Sequence, residues 1–126
     1  MEIKVRAWDE KNRRMLYPDA IWLKHQEISI EGCFYKNVIL MLYTNYKDKN
    51  GKEIYEWDIV KTPQGIGEVV IDLGCWYVLF QKPLGYFPQD EIEIIGNIYE
   101  NPNLLEKPKR RIKNEKNDNL EKRKQR

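Results

Sequence analysis

Hydrophobic positions recur along this chain at short, strand-like intervals. In residues 2–8 (EIKVRAW), Ile3, Val5 and Ala7 alternate with Lys4 and Arg6, the period-two pattern of a half-buried strand. The polar stretch DEKNRR and the apolar Met15, Leu16 and Tyr17 complete a hairpin with a loop of about four to six residues. Pro18-Asp19 breaks the run. Residues 20–31 read as a loop or one helical turn followed by a strand from Glu27, and Gly32 punctuates them. The aromatic and β-branched run beyond predicts a strand at about 37–43.

Asp48-Lys49-Asn50-Gly51 contains Asn-Gly, a strong turn signal because both residues tolerate positive φ. Ile54 and Tyr55 then approach a bend at Glu56-Trp57-Asp58, and Ile59 and Val60 open the next strand. Pro63-Gln64-Gly65 and Gly67 form a loop. GEVVID follows, with Val69 and Ile71 on one face. Gly74 turns the chain into CWYVLFQ, where Trp76, Val78 and Phe80 alternate with Cys75, Tyr77 and Leu79. Both faces of that strand are apolar, which predicts a central strand or one covered on both sides. DEIEIIGNIY supplies another strand with a bend or bulge at Gly96, and Asn101 or Asn103 can cap one helical turn through Leu104 and Leu105. At least six short strands, with turn signals every eight to twelve residues or so, predict a mainly β barrel or roll.

Charge divides the chain in two. The overall formal charge is +2, yet residues 107–126 carry ten Lys/Arg against three acids. The preceding 106 residues are therefore acidic. The basic segment has only Ile112 and Leu120 as apolar side chains, a composition that predicts a disordered tail. We therefore divide the chain into a β domain over 1–106 and a tail over 107–126. No window approaches the roughly 18 apolar residues of a membrane span, and MEIKVRAWDE lacks the pattern of a secretory signal. Two distant cysteines, Cys33 and Cys75, form no CxxC pair and point to a reducing cytoplasm.

Four segments, IKVRAWDEKNRRMLYP, YTNYKDKNGKEIYEWDIVK, GEVV and IEIIGNIYENPNLLE, resemble in order and spacing the YopX family of phage and prophage proteins from Gram-positive bacteria. The resemblance spans almost all of residues 2–106. It implies a mostly β structure with an SH3-like barrel in its second half, and a small accessory phage protein whose activity is not established. Family members usually read Glu-Gly-Asp where this chain reads Glu56-Trp57-Asp58. A tryptophan held at positive φ is strained, so this turn is expected to keep negative φ or to be reshaped; the ring then either packs across the barrel end, the commoner fate, or is left semi-exposed as a contact residue.

Catalytic chemistry finds little support. His25, Cys33 and Cys75 match no zinc spacing; a solvated loop histidine and two small core cysteines are the plainer reading. The Pro18-Asp19 and Glu2-Ile3-Lys4 pairs stand in the wrong order for a strand-borne carboxylate nuclease. Asp90, Glu91 and Glu93 read as a solvated strand edge above inward Ile92 and Ile94. No Walker loop, GxGxxG or nucleophile elbow is present. The expectation is a non-enzyme that needs no cofactor and works by binding. Tyr and Trp are abundant and suit interfaces; Tyr46, Trp57, Tyr86 and Phe87 lie near turns and are the expected contacts for a protein partner or a second copy. The alternative is weak, non-specific nucleic-acid binding through Lys109, Arg110, Arg111 and Lys113 and through Lys122, Arg123, Lys124 and Arg126. For that tail, solubility is the plainer role.

Overall fold

The computed structural model describes residues 2–22 and 27–105, and among them the side chains of 20–22 are not described. Eleven strands run through these residues: β1 (Val5–Asp9), β2 (Arg14–Leu16), β3 (Ala20–Trp22), β4 (Glu27–Ile30), β5 (Cys33–Tyr35), β6 (Ile39–Lys47), β7 (Glu53–Tyr55), β8 (Asp58–Thr62), β9 (Gly65–Asp72), β10 (Cys75–Val78) and β11 (Glu93–Asn97). The only helical segments among them are 3₁₀ turns at Leu84–Tyr86, Gln89–Glu91 and Pro102–Leu105. The expected mainly β roll is what the chain forms.

Three antiparallel sheets result, with strand orders β2-β1-β6-β7, β10-β9-β8-β11 and β3-β4-β5. Ala7, Leu16, Ile28 and Val38 form one core between the first sheet and the three-stranded one. A second core fills the curled sheet of the later half: Ile54, Val60, Val69, Val78, Leu84, Phe87 and Ile92, with Trp76 and Ile94 against it. Burying each of these larger apolar side chains is worth about 1.5–3 kcal/mol.

Local turn chemistry explains several joints. Asp48 is fully buried, and its carboxylate accepts the N–H groups of Asn50 and Lys52, both at 2.9 Å, and of Ile94 at 3.0 Å. One side chain thus shapes the β6–β7 turn and fastens it to β11. Gly51 takes φ +78° there, while Asn50 stays out of the left-handed region, so only the glycine uses its freedom. The expected irregularity at Gly96 is a register shift between Ile94 and Gly96. A Cβ on Gly96 would stand 2.5 Å from Asn101 Oδ1, so no larger residue fits.

Several expectations are corrected. Residues 20–22 form a strand, pairing Ile21 with Ile28, where a loop or helical turn was the reading. The strand expected at 37–43 begins at Ile39 and continues to Lys47. Asp90 and Glu91 sit on a 3₁₀ turn rather than a strand. All five residues of β1 are buried, not one face only. The reason is Arg6, whose guanidinium Nη2 donates to Asp58 Oδ1 at 2.9 Å and to the Glu56 carbonyl at 3.2 Å, with its Cζ 4.9 Å from the Tyr55 ring centroid. A charge can be buried only when so paired. β10 is not central but an edge strand of its sheet. Val78 is buried and the half-buried Trp76 packs on the core, whereas Tyr77 and Leu79 are left partly open.

The Arg6–Asp58 pair gives a stability prediction. Arg6→Ala or Asp58→Ala alone should cost about 3–5 kcal/mol in urea unfolding, because each strands a buried charge, and Arg6→Met with Asp58→Leu should cost far less. Burial raises the Asp58 carboxyl above its ordinary 3.8, with the Arg6 guanidinium pulling it back. A group raised in the folded chain contributes stability that is full below the unfolded value and lost as pH rises through the folded one. The stability advantage of the native chain over Asp58→Asn should therefore be greatest in acid and shrink as pH climbs above 3.8. An advantage that grows with pH would show that the pair's attraction outweighs its burial.

Candidate protein-interaction surface

The bend at Glu56–Trp57 is where the two four-stranded sheets meet. Glu56 N–H donates to the Leu42 carbonyl of β6 at 2.9 Å, Trp57 N–H to the Val69 carbonyl of β9 at 2.8 Å, and Ile98 N–H to the Trp57 carbonyl at 3.1 Å. Asp58 Oδ2 accepts the Tyr55 N–H at 2.7 Å, closing the bend on itself. These bonds hold Trp57 at φ +69°. The expected retreat to negative φ does not occur: the left-handed backbone is kept with a tryptophan in it. The indole is half-buried and lies beside β9.

Trp57 forms one wall of an apolar groove of about 440 Å³, lined also by Val70, Ile71, Tyr77, Leu79 and Phe80, with Glu68 and Asp72. In register Val70 faces Tyr77 across the β9–β10 pair, so the floor is the face of these strands that the core leaves open. The sheet turns Val78 inward onto the core, while Tyr77 and Leu79 on the other face stay partly exposed. Phe80 is 98 % exposed and Leu73, at the β9–β10 turn, 90 % exposed. Both are left-handed as well, at φ +65° and +51°.

Left-handed backbone costs a non-glycine residue on the order of 1–2 kcal/mol. Leu73 and Gly74 occupy a two-residue turn with positive φ at both positions, where Asn or Asp ordinarily precedes Gly. At Trp57, Leu73 and Phe80 the chain thus carries a bulky apolar side chain where a small or polar one would relax the backbone. Trp57 and Phe80 line the groove, and Leu73 stands in the turn that joins its two strands.

The other expected contacts lie elsewhere. Phe87 is only 7 % exposed and belongs to the second core, because the 3₁₀ turn before it aims its ring inward; it is no surface contact. Tyr86 is exposed and packs edge-on against Phe87, with ring centroids 5.3 Å apart. Tyr46 is partly exposed, its hydroxyl so close to Gly85 that a Cβ there would sit 2.6 Å away. Neither tyrosine lines the groove. The structure adds Val70, Ile71, Tyr77, Leu79 and Phe80, and for the last three the doubly apolar β10 pattern was the available signal. His25 and both basic clusters of residues 107–126 lie outside the described residues.

A second concavity, of about 270 Å³, is polar and is lined by Arg6, Glu53, Tyr55, Asp58, Asn97 and Glu100 among others. Its carboxylates are occupied by protein donors. Glu53 takes Lys4 and the Tyr55 hydroxyl, Glu100 takes Asn97 Nδ2 at 2.8 Å, and Asp58 takes Arg6. Burial and the neighbouring Glu53 raise the Tyr55 phenol well above its usual range, which keeps it neutral. No group of three or more His, Cys, Asp or Glu among the described residues could hold a metal ion. No described helix is long and apolar enough to cross a membrane.

The family model described as YopX protein matches residues 4–106. Among solved structures, the crystal structure of protein EF1440 from Enterococcus faecalis is similar, with a TM-score of 0.61 and 26 % identity, covering 83 % of this chain and 99 % of that one. No curated protein matches.

Relieving the left-handed strain at Leu73 and Trp57 should offset what the lost side chains contributed. Leu73→Asn removes an exposed side chain and suits the turn, so it should raise stability by about 0.5–1 kcal/mol. Trp57→Gly exchanges half a buried indole for relaxed backbone and should cost less than about 1.5 kcal/mol, against roughly 3–5 for a core tryptophan. Equilibrium urea unfolding reads both. A loss of about 2 kcal/mol or more in Leu73→Asn would show that the leucine packs rather than projects.

Proposed function

The chain belongs to the YopX protein family, and we propose that it is a non-catalytic protein-interaction module whose contact surface is the Trp57–Phe80 groove. One observation carries this reading: two bulky apolar residues in left-handed backbone, Trp57 and Phe80, line a single open sheet face, and a third, Leu73, stands in the turn that joins its two strands. Exposed apolar residues are costly to the isolated chain, and a partner that covers them recovers that hydration cost as binding energy, while the strained backbone holds them in place to be covered. The polar cleft supports binding over catalysis, since its acids serve structural pairs.

The groove also favours protein over nucleic acid. Stacking platforms for single strands sit in positive grooves, whereas this one is lined by Glu68 and Asp72 and by no Lys or Arg. The nucleic-acid alternative rests on the basic residues of 107–126. Following the family resemblance, we take the protein as an accessory factor of a phage or prophage acting in the bacterial cytoplasm; Cys33 and Cys75, exposed and not in the core as expected, are unpaired and agree with a reducing compartment.

Affinity capture from bacterial lysate tests the proposal when the native chain is compared with Phe80→Ser and Trp57→Gly. A specific protein should be retained by the native chain and lost, by at least about tenfold, from both variants, as for central interface anchors. Parallel titrations with DNA and RNA at about 50 and 200 mM salt examine the alternative. Capture indifferent to the groove variants would overturn the proposal. Steeply salt-dependent nucleic-acid binding, abolished when the basic clusters become glutamine, would then put the alternative in its place.

A further inference from the structure

The groove has a length, a closed edge and a charge, and these three properties narrow what can occupy it. Its lining runs along β9 from Glu68 to Asp72. At the strand rise those two ends stand about 13 Å apart.

The edge of β10 is not free to accept another strand. Tyr77 already bridges Pro83, and Val78 N–H donates to the Lys82 carbonyl at 3.4 Å. An incoming chain therefore lies over the face and binds through side chains, not by extending the sheet.

The charge is negative. Glu68 and Asp72 line the groove, and neither carboxylate has an ion pair or hydrogen bond among the described residues. They contrast with the acids of the polar cleft, which are all engaged. Apposing the same face of a second copy would bring four unpaired carboxylates together with no cation from the lining, so self-association is disfavoured.

Resting on the reading of the groove as a contact surface, we propose that it receives an amphipathic helix of a partner protein, seated over about two to three turns, whose apolar stripe is flanked by Lys or Arg. About nine helical residues cover 13 Å, and side chains at i, i+3, i+4 and i+7 form the ridge that an apolar trough accepts. A helix against an open sheet face is also a standard layer packing. Glu68 and Asp72 lie along β9 about 13 Å apart, a span matched by basic residues eight positions apart on the helix.

Two synthetic 16-residue helical peptides of this design provide the test, with the same leucine stripe but flanked by lysine in one and glutamate in the other. Each is titrated calorimetrically into the full chain. The lysine peptide should bind at least about tenfold tighter than its glutamate twin, and less so as salt rises. Phe80→Ser and Trp57→Gly should weaken it, and Glu68→Lys with Asp72→Lys should reverse the preference. The basic residues of 107–126 act against this result, so they cannot imitate it.

Equal or tighter binding of the glutamate peptide overturns the proposal, as does lysine-peptide binding that ignores the groove variants. A proline-broken lysine peptide that binds equally well overturns the helix. A dimer seen by sedimentation and lost in Phe80→Ser would make a second copy the occupant. Should neither peptide bind while lysate capture still depends on Phe80 and Trp57, the proposed helix falls and the groove stands.

Discussion

The buried ion pair between Arg6 and Asp58 is the constraint from which the rest of the architecture follows. Arg6 belongs to the first sheet and Asp58 opens a strand of the second, so the pair joins the two halves of the chain. Removing both charges from water is expensive, and burial does dominate at Asp58, whose carboxyl is raised despite the cation beside it. What the pair supplies is geometry. The same Nη2 donates to the Glu56 carbonyl, so the orientation of that peptide is set from the far side of the junction.

Once Glu56 is held by Arg6 and Leu42, and Trp57 by Val69 and Ile98, the backbone between them has one way to turn. That way is left-handed. A glycine would meet it without strain; here a tryptophan meets it, and its ring falls along the open face of β9 and β10. The structural junction and the proposed contact surface are therefore physically coupled. The ion pair fixes the peptide, the peptide fixes φ, and φ directs the indole.

The two concavities show how polar atoms separate a structural site from a binding site. In the cleft around Asp58, carboxylates meet donors within the chain, and Tyr55 is held neutral. In the groove, the carboxylates of Glu68 and Asp72 have no partner within the described chain, and the Phe80 ring is left exposed. Unsatisfied recognition capacity concentrated on one face is what an interface requires before its partner arrives.

Features that depend on neighbours in sequence could be read from the residues alone. The Asn50-Gly51 turn, the bulge at Gly96, the short strands and the mainly β architecture follow from φ preferences and period-two patterning that act over a few residues. The resemblance to the family could be read as well. What tertiary structure decided was which surfaces meet. Alternation made both faces of β10 apolar but could not reveal which of them the core leaves uncovered. Arg6 has the local pattern of a solvated position and is buried only because Asp58, far along the chain, returns to it. Phe87 sits in a turn-rich stretch, yet its ring completes the second core. Trp57 is left-handed because four hydrogen bonds from distant strands outweigh the preference of its own side chain, and no local rule contains those bonds.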